Sequence, residues 1–335
     1  MTNLHKTIEE TFPKKTVVIV GDLVADQFLN GTISRVSREA PVFILRHDDT
    51  QTLPGAAANA AANVASLGGN VILIGVAGND ANGELLLTSL RDRAVDTRRI
   101  AIGTALSTTT KVRVLAGQHY AARQQVIRID YEDAAYVPDE IKEKLRRNLA
   151  AAGESADAII VSDYNYGAVF PEIYQDALAI SLARKIPLIV DSRFRLADLR
   201  GATSATPNRD EVEHIFGKNF TPDDCSLLRE QLGYETLLVT NGNRGMSLFE
   251  ANKPPLNINA VGSSEPVDVT GAGDTVIAAY ALGLASGLSF ADAAKVANHA
   301  GGIVVMKKGT AYVTTAELLE SINETTDTAA AINAK

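Results

Sequence analysis

The sequence predicts an α/β protein with a doubly wound, mostly parallel sheet flanked by helices and a small β-sheet lid. Short strand-like runs alternate with helix-like runs along most of the chain, which is the order that gives a parallel sheet covered by helices. Two segments, about 27–53 and 104–130, lack helical periodicity and carry alternating apolar stretches instead. We expect these segments to form the lid, which would exclude water from the strand ends.

The strands predicted for the main sheet are β-branched and apolar on both faces, as buried parallel strands are. They are Val17–Val20, Val71–Val76, Ala158–Val161, Pro187–Val190 and Thr236–Val239. Helical patterns lie at about 55–67, 82–92, 138–152, 171–184 and 221–232. The predicted organisation is an N-terminal extension (1–15), one α/β domain (16–322) and a flexible C-terminal tail (323–335).

Composition narrows the class of protein. A chain of 335 residues that is 46% hydrophobic can bury a substantial core, and its net charge of −8 argues against a nucleic-acid partner. The single cysteine, Cys225, excludes an intramolecular disulfide. No apolar run reaches the ~18 residues of a membrane span, and residues 1–15 lack the apolar core of a signal peptide. We therefore expect a cytoplasmic protein with no nucleic-acid or membrane partner.

The segment Asp268–Thr275 is the strongest indication of chemistry. It reads Asp-Val-Thr-Gly-Ala-Gly-Asp-Thr and precedes small apolar residues, which predicts a buried helix that begins at Gly271–Gly273. A helix N-terminus presents free backbone N–H groups and a partial positive charge, so it favours phosphate oxygens. Asp274 would lie in the first turn, where a carboxylate beside the anion suits phosphoryl transfer. The alternative is that Asp274 only caps the helix and the glycines only make the turn.

Further polar residues are predicted at the carboxyl edge of the sheet, where open α/β sheets bind ligands. Gly21–Asp26 follows the first strand with two carboxylates, which suit hydrogen bonds to a polyol. Gly55 and Asn59 open an alanine-rich helix near the same edge. Three other strands are followed by Asp163, Asp191 and Asn241. A turn or a helix cap is the alternative explanation for any one of these residues.

Asn208 and Glu211 form a candidate magnesium site. Thr206–Glu211 has a proline at a helix start, which places the two side chains one turn apart on one face. Magnesium keeps several waters and takes few protein ligands, so such a pair can orient them. A helix cap with an acidic first turn is the alternative. The Walker A and protein-kinase H-R-D motifs do not occur in the sequence, which excludes those two modes of nucleotide binding.

Over residues 16 to about 322 the chain resembles the ribokinase-like (PfkB-type) sugar kinases. The segments that carry this resemblance are Gly21–Asp26, Gly55–Asn59, Asn208–Glu211, Val239–Gly242 and Asp268–Asp274. Within that family the chain is most similar to the D-glycero-β-D-manno-heptose 7-phosphate kinases. That narrower similarity rests on Ser34–Val42, Lys111–Val114, Gln124–Asp130 and Ser162–Tyr164.

The resemblance implies transfer of the γ-phosphoryl group of ATP to the anomeric hydroxyl of a heptose 7-phosphate, with Mg²⁺ and a monovalent cation such as K⁺. Asp274 matches the general base, and the backbone around Gly271, Ala272 and Gly273 matches the group that stabilises charge on the phosphates. Asn208 and Glu211 match the magnesium motif. The positions that match sugar binding are Asp26, Gly55 and Asn59, and those on the nucleotide side are Thr240, Asn241, Gly242 and Asn298.

Cations in the lid segments predict an acceptor that already carries a phosphate, because Arg and Lys donate charge-assisted hydrogen bonds to phosphate oxygens. They are Arg35, Arg38, Lys111, Arg113 and Arg128, and Asp163 and Arg193 complete the predicted substrate side. Solvated lid charges or dimer contacts are the alternative. The resemblance also implies a homodimer formed through the lid.

The sequence departs from the family pattern at two places near the predicted acceptor. Ala56 stands where the family usually has a second glycine, and Arg193 stands where heptose-phosphate kinases usually have lysine. These departures leave open a kinase for another sugar or sugar phosphate, of the fructose or ribose type. A non-catalytic sugar or nucleotide sensor on the same fold is the alternative from a different class. No H-x-G-H motif occurs, so we do not expect the nucleotidyltransferase domain that some heptose kinases carry.

Overall fold

The computed structural model describes residues 3–118, 123–132, 136–263 and 265–333. The strands in these residues are β1 (Thr16–Gly21), β2 (Leu23–Val36), β3 (Phe43–Ala56), β4 (Asn70–Ile74), β5 (Val76–Gly78), β6 (Ala101–Gly103), β7 (Thr110–Gly117), β8 (Gln124–Tyr131), β9 (Ala158–Asp163), β10 (Leu188–Ser192), β11 (Ser204–Ala205), β12 (Thr236–Thr240), β13 (Met246–Glu250) and β14 (Leu256–Ile258). The helices are α1 (Asn3–Lys6), α2 (Ala57–Ser66), α3 (Ala81–Arg91), α4 (Asp139–Gly153), α5 (Pro171–Arg184), α6 (Arg209–Phe216), α7 (Pro222–Leu232), α8 (Ala272–Ala285), α9 (Phe290–Val304) and α10 (Thr315–Asn333).

The main sheet orders its strands β14-β13-β12-β11-β10-β9-β1-β4. β1 pairs in parallel with β4 on one side and with β9 on the other, whereas β13 is antiparallel to both of its neighbours. From the central strand β1, the chain first adds β4 on one side of β1. The strands from β9 onward are added on the other side of β1. In such a doubly wound sheet, ligands bind in the crevice at the carboxyl ends of the strands where the order reverses. That crevice lies between β1 and β9.

Helices cover both faces of the main sheet and bury two apolar clusters. Residues of α2, α8, α9 and α10 pack in the first cluster, and residues of α4, α5 and α7 pack in the second. Within β1, Ile19 belongs to the first cluster, whereas Val18 and Val20 belong to the second. Successive side chains of a strand point to opposite faces, so a strand covered on both sides must be apolar at every position.

The lid is a separate four-stranded sheet with the order β3-β2-β7-β8. A single residue, Asp22, separates β1 from β2, so the lid is attached directly to the carboxyl end of a central strand. β2 pairs antiparallel with β3 and parallel with β7, and β8 forms an outer edge. The segments predicted to form the lid therefore do so, and they extend over the crevice of the main sheet.

The predicted main-sheet strands correspond to β1, β4, β9, β10 and β12, and the predicted helices to α2, α3, α4, α5 and α7. The two-residue strand β11 and the antiparallel edge of β13 and β14 were not predicted. Ile8 and Phe12, in the predicted N-terminal extension, are fully buried against the first cluster. α10 continues to Asn333 and so enters the segment for which the sequence predicts a flexible tail. Among the described residues, no helix is long and apolar enough to cross a membrane.

Candidate active site

The first turn of α8 is held in place by its sequence. Gly271 immediately precedes the helix with a φ of 78°, in the left-handed region that favours glycine. A Cβ atom at this position would lie 2.4 Å from Nδ2 of Asn59. Residues 274–284 of the helix are all buried. The turn that begins α8 therefore requires glycine at position 271, and the buried residues of the helix fix the turn to the core.

Asp274 occupies this first turn and is only 3% exposed. The Tyr164 hydroxyl donates to its Oδ1 (2.9 Å), and Nδ2 of Asn59 donates to its Oδ2 (3.0 Å). Burial, assisted by the negative charges of Asp191 and Asp26, raises the pKa of Asp274 to about 7, although the two hydrogen bonds act to lower it. A carboxylate whose pKa lies near neutral pH is suited to take up a proton in a reaction.

Asp274 lines a cavity of about 130 Å³, which we call the acceptor cavity. Its walls come from the lid, from the carboxyl edge of the main sheet and from the start of α8. The residues that line it are Val24, Asp26, Ala56, Lys111, Arg113, Arg128, Tyr164, Arg193, Thr270, Gly271, Asp274 and Thr310. The Thr310 hydroxyl is buried and has no hydrogen-bond partner among the described residues.

Asp26 and Arg113 form a buried ion pair in the wall of the acceptor cavity. Burial raises the pKa of Asp26, whereas the positive charge of Arg113 lowers it. Gly55 makes room for this carboxylate, because a Cβ atom there would lie 2.5 Å from Oδ2 of Asp26. The structure thus brings two of the predicted sugar-binding residues together, with Gly55 acting through Asp26.

Three further cations line the acceptor cavity. Lys111 is 7% exposed, and burial lowers its pKa. Its ammonium lies 5.4 Å from the ring centroid of Tyr166. Arg128 donates from Nε and Nη2 to Asp130, at 2.8 and 2.7 Å, and Arg193 is exposed to solvent. Lys111 has no carboxylate within ion-pair distance in the described residues, so its charge is available to an anionic ligand.

A second cavity, of about 180 Å³, lies on the other side of the first turn of α8 and is called the nucleotide cavity below. Small and apolar residues dominate its walls. The predicted nucleotide-side residues that line it are Thr240, Gly242 and Asn298, and Ala272 and Gly273 of the predicted catalytic turn line it as well. Nδ2 of Asn298 donates to the backbone oxygen of Asn259 at 2.7 Å, which holds two wall segments together. An apolar slot of this kind suits a flat ring such as a nucleobase.

Gly271 and Asp274 line the acceptor cavity, whereas Ala272 and Gly273 line the nucleotide cavity. The amide-rich start of one helix therefore lies between two cavities, with a carboxylate on one side of it. A helix N-terminus stabilises anions through its free N–H groups. The arrangement is suited to moving a phosphoryl group from a ligand in one cavity to a hydroxyl group in the other.

Asn208 and Glu211 form a capping box at the start of α6: Oδ1 of Asn208 accepts from Glu211 N (2.9 Å), and Oε2 of Glu211 accepts from Asn208 N (2.8 Å). Burial raises the pKa of Glu211. Burial also raises the pKa of Asp191, at the end of β10, and the charge of Glu211 raises it further. No group of three or more His, Cys, Asp or Glu side chains able to hold a metal is found in the described part of the chain.

Three predicted site residues lie elsewhere than expected. The carboxylate of Asp163 accepts from Ser192 Oγ (2.7 Å) and Arg195 Nε (3.1 Å), so it holds neighbouring loops together and does not line the acceptor cavity. Nδ2 of Asn241 donates to Ser247 Oγ at 3.1 Å. Asn241 lines a different cavity, beside α7. Arg35 is exposed near the end of β2, outside the acceptor cavity. Asp163 therefore does not line the acceptor cavity, and Asn241 does not line the cavity that contains Thr240 and Gly242.

Sequence reasoning did not predict Tyr164 as a site residue, yet the fold brings its hydroxyl to Asp274. Thr310 and Ala56 line the acceptor cavity. Asn59, predicted to bind sugar, instead contacts the Asp274 carboxylate directly. The position of Tyr164 just after a predicted strand was the one available signal, and it did not identify the partner. Ala56 has a φ of 55°, a conformation that glycine adopts at no steric cost, which agrees with the glycine usual there in the resembling family.

The fold agrees with the protein family that the sequence matches. The profile of the pfkB family carbohydrate kinases matches residues 14–317. The chain belongs to this family, whose members are phosphotransferases with a hydroxyl group as acceptor. It is 38% identical to the bifunctional protein HldE of Caulobacter vibrioides over 322 residues, and 38% identical to that of Proteus mirabilis over 325 residues. These alignments cover 93% and 94% of this chain but only 64% and 65% of the relatives' own length.

Solved structures of sugar kinases share the fold. Ribokinase of Arabidopsis thaliana, complexed with ribose and ATP, superposes with a TM-score of 0.68 at 22% identity, covering 92% of this chain and 98% of the ribokinase. Phosphofructokinase-2 of Escherichia coli, in complex with potassium, superposes with a TM-score of 0.73 at 18% identity, covering 91% of this chain and 97% of that protein. The predicted ribokinase-like α/β fold is therefore confirmed.

Proposed function

We propose that the protein transfers the γ-phosphoryl group of ATP to the anomeric hydroxyl of a heptose 7-phosphate, with Asp274 as the general base. The observation that carries the proposal is the position of the first turn of α8 between the acceptor and nucleotide cavities. The carboxylate of that turn faces the acceptor cavity, and two of its backbone amides belong to residues of the nucleotide cavity. Positioning and electrostatics supply most of the catalysis in phosphoryl transfer, so this small apparatus suffices.

In the proposed reaction, the acceptor hydroxyl gives its proton to Asp274 as its oxygen forms a bond to the γ-phosphorus of ATP. The bond between the γ-phosphorus and the oxygen that bridges it to the β-phosphorus breaks, and ADP leaves with that electron pair. The backbone N–H groups at Ala272 and Gly273 stabilise the negative charge on the transferring phosphoryl oxygens. Lid strands over the crevice exclude water, which would otherwise compete as the acceptor.

The cations of the acceptor cavity support a phosphorylated sugar as the acceptor. Lys111, Arg128 and Arg193 line the same cavity as Asp274. Of these three cations only Lys111 is buried. A neutral sugar would not require its buried charge, because desolvating a cation is costly unless an anion compensates for it. The resemblance to heptose 7-phosphate kinases and the 38% identity to HldE proteins support a heptose 7-phosphate as that acceptor.

A panel of acceptors tests the proposal directly. ADP release is measured with heptose 7-phosphate, the unphosphorylated heptose, fructose 6-phosphate, fructose and ribose. The assay is run in KCl and repeated in tetramethylammonium chloride, which tests for the monovalent cation implied by the resemblance. Heptose 7-phosphate should give the highest kcat/KM. Turnover of every acceptor at a background rate, with sugar binding retained, would favour a sensor instead.

A kinase for a different phosphorylated sugar is the second candidate. The methyl group of Ala56 lines the acceptor cavity, where the family usually has glycine, and Arg193 replaces the usual lysine. Both differences change the shape or the charge geometry of the acceptor cavity, since the guanidinium is a planar fork and the ammonium a compact point charge. A higher kcat/KM with fructose 6-phosphate than with heptose 7-phosphate in the same panel would select this candidate.

We also propose that Mg²⁺ binds at the carboxylates of Glu211 and Asp191, with Asn208 holding Glu211 in position. The fit rests on charge: burial raises the pKa of both carboxyl groups, and the charge of Glu211 raises that of Asp191. A divalent cation would offset this unfavourable charge. When bound, the metal would neutralise charge on the ATP phosphates, and it needs few protein ligands because it keeps several waters.

Glu211→Gln should raise the Mg²⁺ concentration for half-maximal activity by roughly 10-fold, within the ~10–100-fold typical when a metal-site residue is lost. The glutamine oxygen still accepts from the Asn208 N–H group, so the helix cap and the fold should remain. Asp210→Asn is the matched control, since Asp210 lies in the same helical turn but is exposed. An unchanged Mg²⁺ dependence in Glu211→Gln would remove Glu211 from the metal site.

The lid supports a homodimer as part of the proposal. Ile127, Ile129 and Tyr131 of β8 are 41–56% exposed. Alternate residues of a strand share a face, so these three lie opposite Arg128, which lines the acceptor cavity. An apolar outer face on an edge strand suits association with a second copy. Sedimentation equilibrium should show a dimer for the wild-type protein and a monomer for Ile129→Lys, and a monomeric wild type would contradict the proposal.

A further inference from the structure

Tyr164 is separated from Asp274 by 110 positions in the sequence, yet its hydroxyl lies 2.9 Å from Oδ1 of that carboxylate. It lines the acceptor cavity together with Asp274. The loop that carries it is fixed to the scaffold by Asp22, whose Oδ2 accepts from the backbone N–H groups of Tyr164 (2.8 Å) and Tyr166 (3.0 Å). The Tyr164 hydroxyl is therefore held at the carboxylate by the end of β9, independently of α8.

The other carboxylate oxygen of Asp274 is held by a buried amide pair in α2. Asn63 donates from Nδ2 to Oδ1 of Asn59 at 3.2 Å. That contact assigns Oδ1 of Asn59 as an acceptor, so its Nδ2 is the atom that faces Oδ2 of Asp274. Oδ1 of Asn63 in turn accepts from the backbone N–H of Val313 at 3.2 Å. Each oxygen of Asp274 thus receives one hydrogen bond from a rigid donor, and these donors lie on two different elements.

We propose that Tyr164 is a positioning residue for Asp274: its hydroxyl, opposite the amide of Asn59, fixes the plane of the carboxylate and keeps it ionised. Carboxylate oxygens that accept only one hydrogen bond each retain a lone pair for the acceptor proton. This inference rests on the proposed function, in which Asp274 is the base.

The donor role of Tyr164 is secure at working pH. Burial and the negative charge of Asp274 raise the pKa of the Tyr164 hydroxyl well above its ordinary value, so the group remains a phenol that donates a proton. Hydrogen bonding to the ionised form of a carboxyl group lowers its pKa. Loss of this one donor should therefore raise the pKa of Asp274 and move the acidic limb of the pH–rate profile to higher pH.

Other charges act on the same carboxylate and must stay constant in the comparison. Those that face it or share its cavity are Asp26 on β2, Lys111 and Arg113 on β7, Arg128 on β8, Asp191 on β10 and Arg193 after β10. Tyr164→Phe changes none of them. The phenyl ring keeps its packing, so the hydroxyl is the only group removed.

The experiment compares pH profiles of kcat/KM, at saturating Mg²⁺, for the wild type, Tyr164→Phe and Tyr166→Phe. In Tyr164→Phe the acidic limb should move up by about one pH unit, because a hydrogen bond to a charged group is worth ~1.5 kcal/mol and one unit is ~1.36 kcal/mol. Tyr166→Phe is the matched control. It removes a hydroxyl from the same loop that donates to Glu132 (2.8 Å) and not to Asp274, so its limb should coincide with that of the wild type.

Site-specific replacement of Tyr164 by 3-fluorotyrosine gives the opposite test. The fluorine makes the phenol a stronger donor, so the acidic limb should move down relative to the wild type. An unmoved limb in both Tyr164 variants overturns the positioning role, whatever happens to kcat. If Asp274→Asn retains wild-type activity, the proposed function itself fails, and that outcome is distinguishable because it does not involve Tyr164.

Discussion

Asp274→Asn should lower kcat by at least about 100-fold, which is the low end of what one well-placed general base contributes. Asparagine has nearly the same shape as aspartate, but it cannot take up the proton that the acceptor hydroxyl releases. The KM for ATP should remain close to that of the wild type, because the nucleotide cavity does not include the Asp274 side chain. The measurement is steady-state ADP release with saturating acceptor, between pH 6 and 9.

The wild-type enzyme should also lose activity as the pH falls through about 7, because burial raises the pKa of Asp274 to that value and only its ionised form can act as a base.

Asp292→Asn is the matched control for Asp274→Asn. Asp292 lies in the first turn of α9, where it accepts from Ser289 and Lys295, and it lines neither cavity. Wild-type turnover in Asp274→Asn at pH 8 would show that proton transfer to this carboxylate is not part of the reaction.

The main sheet was predictable because each of its long strands can be recognised from its own short stretch of sequence. Every strand that is covered on both faces must be apolar throughout, and such runs are visible in the sequence. β11 was missed because two residues, Ser204 and Ala205, contain no periodicity. Burial of Ile8 and Phe12 was missed for the same reason. These residues lie in two short helical turns, Thr7–Thr11 and Phe12–Lys14, and such short turns show little hydrophobic pattern.

Only the part of the candidate site that lies in one continuous segment was predictable from the sequence. Gly271–Asp274 specifies both the turn and the carboxylate, so the sequence identified it directly. Tyr164 and Asn59 meet Asp274 across 110 and 215 positions of the chain, and no local pattern encodes such contacts.

Asp163 shows what the position of a residue in the sequence leaves undetermined. A strand end indicates the correct edge of the sheet, but it does not reveal that Ser192 and Arg195 will occupy the carboxylate. Position along the sheet edge was therefore predictable from sequence, whereas the direction and partners of each side chain required the packed loops.

Lys111→Met should reduce kcat/KM for a phosphorylated acceptor by roughly 10- to 100-fold, because a hydrogen bond to a charged group is worth ~1.5–3 kcal/mol. The value for the same sugar without its phosphate should change by less than about threefold, since a neutral acceptor gains little from the ammonium. Methionine has a similar length and packs well in buried positions, so the variant should keep the fold. The measurement is the ratio of the two kcat/KM values in each variant.

Lys142→Met is the control for removing a lysine that also lies over an aromatic ring. The Lys142 ammonium is 5.7 Å from the Phe170 ring centroid and pairs with Asp139 on α4, and it lines neither cavity. In Lys142→Met, the ratio of kcat/KM for the phosphorylated acceptor to kcat/KM for the unphosphorylated sugar should equal the ratio in the wild type. Equal losses with both acceptors in Lys111→Met would mean that the lid cations do not recognise a phosphate. In that case the solvated or dimer-contact role would explain their charge, and the acceptor would be a neutral sugar whose hydroxyl groups contact Asp26.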